Sequence, residues 1–200
     1  MANGSEVYVI DDDEAIRRSL SFLLRTSGLV ARTYETAEAF IAEAPNLAAG
    51  CVITDVRMPG MDGIELVRRL VEAKLPLSAI VITGHGDIAL AVEAMKVGAV
   101  DFIEKPFKEE VLLRAVERAL AGGVPPDAAA RQRDRTALDA LSPRERQVLE
   151  GVVAGKTSKI IARDLDISPR TVEVHRAGMM MKTGAKSLSE LVRMALLAGL

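Results

Sequence analysis

The chain has 200 residues, room for one large domain or two small ones, with 49% hydrophobic and 27% charged content, ordinary for a globular protein. No apolar run approaches the ~20 residues that span a bilayer, and the start lacks a charged segment leading into an apolar one, so a cytoplasmic protein with no membrane partner is expected. Two Tyr and no Trp argue against a stacking platform for single-stranded nucleic acid, and the single Cys51, inside an apolar run, cannot close an internal disulfide.

Val7 to Ile10 reads as a short buried strand running into Asp11-Asp12-Asp13-Glu14. Ile16, Leu20, Leu23 and Leu24 then share one helical face, and Gly28 stops that helix. Val30 to Tyr34 is a weaker strand, followed by a helix capped by Thr36 with Pro45 beyond its end. Cys51 to Thr54 is an apolar strand with Asp55 at its carboxyl end, and Met58-Pro59-Gly60 with Asp62-Gly63 must turn. A helix carries Ile64, Leu66, Val67, Leu70 and Val71, and Pro76 follows it. Ala79 to Thr83 is a strand closed by Gly84-His85-Gly86; Asp87 caps a helix that stops at Gly98. Val100 to Glu104 is a fifth strand ended by Lys105-Pro106, and a helix runs from about Phe107 to Leu120. Strands alternating with helices predict a doubly wound five-stranded parallel α/β sheet over residues 1–121.

Gly122-Gly123-Val124-Pro125-Pro126 breaks the pattern as a hinge, and Asp127 to Asp139 reads as an exposed linker helix capped by Asp127 or as a disordered stretch, its Ala and Arg favouring the helix, so residues 122–140 read as a linker. From Leu141 every element reads as helix. Ser142-Pro143-Arg144-Glu145 is a capping box, and that helix ends at Gly155. A short helix spans about Thr157 to Leu165, with a turn at Asp166-Ile167. Ser168-Pro169 starts a third helix to about Lys182, Gly184 ends it, and Ser187 caps a fourth. The second and third are a helix-turn-helix candidate, so an all-α unit over 141–200 follows the α/β one. Val148, Leu149, Ile161, Leu165, Ile167, Val172, Leu191 and Leu196 are its expected core.

The net charge of −2 hides an asymmetry. Residues 1–121 carry 13 Lys and Arg against 19 Asp and Glu, net −6, whereas 141–200 carry 10 against 6, net +4. Two units with different partners follow, the basic one suited to a polyanion such as DNA.

In a parallel sheet the first and third strands lie side by side, which brings Asp11, Asp12 and Asp55 to one edge. Ligands bind there in open α/β sheets. Carboxylates so close repel, and a hard cation such as Mg²⁺ would relieve them. Thr83 and Lys105 end the fourth and fifth strands at the same edge, adding a hydroxyl and an ammonium. Their bland readings are a turn cap and a surface ion pair.

These runs carry a resemblance. Val9-Ile10-Asp11-Asp12-Asp13, Thr54 to Gly63 and Lys105-Pro106-Phe107 resemble the hallmark runs of a response-regulator receiver domain over residues 5–121. The resemblance implies that Asp55 is the phosphoacceptor, that Asp12, Asp55 and the Arg57 backbone carbonyl hold Mg²⁺ (or Mn²⁺), and that Asp11 reaches the metal through water. It implies that Lys105 pairs with the phosphoryl oxygens, that Thr83 is the switch hydroxyl and Phe102 the switch aromatic, and that the Lys105-Pro106 bond is cis. Asp13 is given no role. Thr83 would swing to the phosphoryl group and vacate space for Phe102 to rotate inward, remaking the face of residues 87–120 as a dimer interface.

Residues 141–200 resemble a LuxR/NarL-type DNA-binding domain through Leu141 to Leu149, Ile160-Ile161-Ala162 and Ser168 to His175. That family places the helix 169–182 in the major groove. The implied DNA-binding residues are Thr157, Ser158 and Lys159 at a helix start, then Ser168, Arg170, Thr171, Glu173, Val174, His175, Arg176 and Lys182. Glu173 and Val174 match base-facing positions; Glu173 could accept from cytosine N4 or select against nearby phosphates. His175 reads equally as a core or capping residue. The combination resembles the FixJ type of two-component regulator, whose members answer an oxygen-sensing histidine kinase and activate nitrogen-fixation or microaerobic genes. That implies a sensor kinase, promoter DNA, a phosphorylation-driven homodimer and RNA polymerase as partners.

Three other readings stand beside it. A phosphatase with a strand-end Asp nucleophile normally needs a second Asp two residues on, where this chain has Arg57. The basic unit could be a protein-binding helical bundle, and the receiver could act through protein contacts alone.

Overall fold

The computed structural model describes residues 6–84, 88–122 and 128–200. The expected turn at 85–87 with its Asp87 cap, and the hinge at 123–127 with its Asp127 cap, lie outside the described residues. The chain divides into two compact units, Met1–His85 with Val97–Val124, and Gly86–Lys96 with Pro125–Leu200.

The first unit holds the five strands β1 (Glu6–Ile10), β2 (Val30–Tyr34), β3 (Gly50–Asp55), β4 (Leu77–Thr83) and β5 (Asp101–Glu104). They form one sheet in the order β2-β1-β3-β4-β5, every neighbouring pair parallel. In chain order helices α1 (Glu14–Thr26), α2 (Ala37–Glu43), α3 (Gly63–Glu72), α4 (Ile88–Val97) and α5 (Glu109–Leu120) alternate with them, α4 falling, all but its last residue, in the second unit. Only parallel strands connected by crossover helices satisfy this order. On one face Val7, Val9, Cys51, Ile53, Ile80, Ile82 and Ile103 pack under Leu20 and Leu24 of α1 and Leu112, Ala115, Val116 and Ala119 of α5. On the other, Phe40 of α2 meets Tyr8 with ring centroids 5.6 Å apart. Burial on both faces is why these strands read as apolar runs rather than alternations.

The caps are local chemistry. Thr36 accepts from Ala39 N (3.1 Å) and Asp62 from Glu65 N (2.8 Å). Gly28 takes φ +81° just past α1, as expected of a helix stop. The last helix of the sheet starts at Glu109 rather than near Phe107, because Lys108, in extended backbone, is its first non-helical neighbour.

The second unit contains α6 (Ala128–Asp139), α7 (Pro143–Val153), α8 (Ser158–Asp164), α9 (Pro169–Thr183) and α10 (Leu188–Ala198). The expected linker helix forms, but it is not free: α6 packs against α10, and Leu138 is buried. Its apolar residues are too few to show a periodic stripe, so the sequence read it as exposed. Val148, Leu149, Ile161, Val172 and Leu191 are buried as expected, while Leu165, Ile167 and Leu196 are half-buried.

Glu145 is buried where α7 meets α9. It completes the expected capping box, accepting from Ser142 N (2.7 Å), and the same Oε2 accepts from Lys182 Nζ (2.7 Å). Gly178 makes room for it, since a Cβ there would lie 2.9 Å from Glu145 Oε1. The Lys182 hydrogen bond lowers the Glu145 pKa to about 2, with burial opposing and the Ser142 bonds assisting. A carboxyl depressed on folding stabilises the native state above its ordinary pKa near 4.5 and loses that contribution as pH falls toward about 2. Glu145→Ala is therefore expected to cost this unit about 1–2 kcal/mol at neutral pH. The deficit shrinks as pH is lowered below about 4.5, which urea titrations of both proteins across that range would measure.

Candidate functional site

β1 and β3 are neighbours in register, with Ile10 opposite Thr54, so the next residues, Asp11 and Asp55, emerge side by side at the carboxyl edge. Asp55 is held from two sides. Lys105 Nζ donates to Oδ1 at 2.5 Å, and Arg57 N donates to Oδ2 at 2.7 Å. Asp11 is 2% exposed, its Oδ2 lies 3.6 Å from Lys105 Nζ, and Oδ1 accepts from Asp13 N (2.9 Å). Oδ2 is buried without a hydrogen-bond partner. Burial raises the Asp11 pKa; the Asp13 N–H and Lys105 pull it back, and the charges of Asp55 and Asp12 push it up again. Burial works against the Lys105 charge, but Asp55 and then Asp11 outweigh it and hold the ammonium above the ordinary lysine range.

The expected three-acid cluster is in fact a pair with a lysine between. Asp12 is exposed, and among the described residues no three acidic, His or Cys side chains are set to hold a metal ion. Thr83 is buried at the end of β4, and Lys105 N donates to its carbonyl (2.8 Å). Phe102 stands beside Val81, on the same face as Thr83, and is buried. The Lys105-Pro106 peptide bond is cis.

In the second unit, α8 and α9 form the two helices of the turn motif, with Asp166 at φ +53° between them. Thr157 caps α8 (Ile160 N, 3.4 Å) and Ser168 caps α9 (Thr171 N, 3.0 Å), its hydroxyl also 2.8 Å from that of Thr171. Lys159 and Arg170 are exposed and make no hydrogen bond or ion pair with the described residues, and Val174 is 63% exposed. His175 is half-buried. Ser158, Glu173 and Arg176 bind one another rather than pointing outward independently. Lys182 is exposed, and its ammonium lies 2.7 Å from Glu145 Oε2.

Residues 7–117 match the response regulator receiver domain, and residues 139–195 match the bacterial regulatory proteins of the LuxR family. The chain is a response regulator. It is 54% identical to the transcriptional regulatory protein FixJ of Rhizobium meliloti, covering 96% of each chain. It is similar to the crystal structure of full-length FixJ from B. japonicum, at 50% identity, 98% and 97% coverage and a TM-score of 0.57. A structure of two RcsB dimers bound to two parallel DNAs is similar at 25% identity, 99% and 100% coverage and a TM-score of 0.55. The regulator is thus a two-component protein of FixJ-like architecture with a LuxR-type DNA-binding domain.

Several residues of the regulator's acidic edge escaped the sequence reading. Asp13 caps α1, accepting from Ala15 N (2.7 Å), while its own N–H fixes Asp11. An Asp directly before an acidic helix start was the available signal. Glu38 of α2 reaches the loop after β3 and accepts from Met61 N (2.6 Å), a contact no local pattern announces. Gly63, at the start of α3, lies so close to the Asp55 carbonyl that a Cβ would be 2.1 Å from it.

Proposed function

We propose that the regulator is switched by phosphorylation of Asp55 by a sensor histidine kinase, and that the phosphorylated form pairs through the face of residues 87–120 and binds promoter DNA. The observation that carries this reading is the Asp55 carboxylate held at the sheet edge between the Lys105 ammonium and the Arg57 N–H. A carboxylate oxygen attacks phosphorus in line; the donor's bond to phosphorus breaks as the new O–P bond forms, and no base is needed because the nucleophile carries no proton to lose. Lys105 neutralises the incoming charge, and Arg57 N fixes the carboxylate plane. Asp11 Oδ2, buried without a hydrogen-bond partner, fits a cation nearby; Asp12, Asp55 and the Arg57 carbonyl would hold Mg²⁺ (or Mn²⁺), and Asp11 would reach it through water. When bound, that ion supplies further neutralisation of the phosphoryl oxygens. Thr83 and Phe102, adjacent on one face, carry the change toward β5 and α5.

On DNA, α9 enters the major groove. Arg170, Thr171, Val174 and His175 face the duplex; Thr157, Lys159 and Ser168 meet phosphate. Paired copies gain effective concentration on two half-sites. The FixJ likeness supports activation of transcription with RNA polymerase in the cytoplasm, under oxygen-responsive control of nitrogen-fixation or microaerobic genes. Genomic footprinting of the wild type against Asp55→Ala tests the switch: occupancy lost in the variant supports it, and equal occupancy refutes it. Lys159→Ala is expected to weaken binding evenly across sequences and to flatten the log K against log salt slope by about 0.9, measured by fluorescence anisotropy.

A further inference from the structure

Glu173 and Arg176 lie three residues apart on one side of α9, with the guanidinium NH1 2.9 Å from Glu173 Oε1. Ser158, at the start of α8, closes the group from across the motif: its Oγ donates to Glu173 Oε1 (2.6 Å) and accepts from Arg176 NH1 (3.2 Å). One carboxylate oxygen therefore takes two donors. The arginine is the more covered partner, its side chain 17% exposed against 55% for the glutamate. A carboxylate oxygen and a phosphate oxygen ask the same thing of an arginine, namely N–H donors and a compensating charge. In this geometry the protein has filled that role itself.

We propose that Glu173 is a specificity element that occupies Arg176 and withholds it from DNA phosphates, lowering sequence-independent attraction so that base contacts decide where the regulator binds. The inference rests on α9 being the recognition helix. The chemistry follows from how a protein holds DNA. Each phosphate neutralised adds affinity for every sequence alike, whereas only base contacts discriminate. A cation already paired releases no counterion on binding and adds nothing to the salt slope. The DNA-binding unit's net charge of +4 over residues 141–200 is modest, and this pair keeps one of its arginines silent.

Full-length protein, phosphorylated with acetyl phosphate and Mg²⁺, is titrated into two duplexes over a range of salt: one of random sequence, and the tightest recovered by selection from a random pool. Glu173→Gln keeps the shape and removes the charge. It is expected to bind the random duplex about five- to twenty-fold tighter near 100 mM salt, with a slope steeper by about 0.9, and to lose a similar factor in its preference for the selected duplex. Arg176→Ala in the Glu173→Gln background restores the shallower slope. In the otherwise wild-type protein, Arg176→Ala leaves the slope where it was, because no phosphate contact existed to lose. An unchanged slope in Glu173→Gln overturns the proposal, as does a flattened slope in Arg176→Ala alone. Loss of affinity by Glu173→Gln on the selected duplex alone makes Glu173 a base reader instead. A wild type that binds neither duplex would refute the assignment of α9 rather than this one.

Discussion

Asp55→Ala is expected to reduce phosphoryl uptake from acetyl phosphate with Mg²⁺ by at least about a hundredfold, leaving only background label. Asp55 alone has one oxygen on the Lys105 ammonium and the other on a backbone N–H. Asp11 lies 3.6 Å from the same ammonium, but it is 2% exposed and tied by Oδ1 to Asp13 N, so a donor cannot approach it in line. Asp12 is open to solvent but has no ammonium against it. Undiminished labelling of the variant, recovered on a peptide carrying Asp11 or Asp12, would move the acceptor and end the present assignment.

The second large effect is on the frame beneath that site. Gly63→Ala would set a Cβ 2.1 Å from the Asp55 carbonyl oxygen, 3.0 Å from its carbon and 3.1 Å from Thr54 Oγ1. None of these can yield easily. The carbonyl belongs to the end of the central strand, Thr54 is fully buried, and Gly63 N is bonded to Val56 O at 3.0 Å, which pins the start of α3 to the end of β3. Either α3 backs away or Asp55 moves. The expected loss is about 3 kcal/mol or more, a fall of roughly 10 °C in the melting temperature of the receiver, with slower phosphoryl uptake by what remains folded. Gly28→Ala is the comparison. Gly28 has φ +81° but nothing within 4 Å of its would-be Cβ, so only the left-handed backbone is penalised, at about 1 kcal/mol. Calorimetry on the two variants separates collision from conformation: equal losses would mean that the close approach at Gly63 is not real.

Much of the site was legible because its signals are local. A carboxylate at the end of an apolar run, followed by residues that must turn, places Asp55 at a strand's carboxyl edge whatever the rest of the chain does. The same holds for the caps at Thr36, Ser142, Ser168 and Ser187, each a short hydroxyl one residue before a helix. What local signals do not announce involves partners far apart in the chain. Lys182 pairs with Glu145, 37 positions away. The linker helix looked exposed until α10 covered Leu138.

Periodicity, turn residues and capping hydroxyls, all read within a few positions, by themselves determined that this chain makes a parallel α/β sheet followed by a helical unit, and which strand ends carry its acids, hydroxyl and ammonium. Only the tertiary structure decided which of those groups touch. It set Lys105 between Asp55 and Asp11, left Asp12 exposed, buried Phe102, and tied Glu173 to Arg176 and Ser158. A hydrogen bond is won or lost over a few tenths of an ångström, and that distance is fixed by how distant elements cross, which no local pattern encodes.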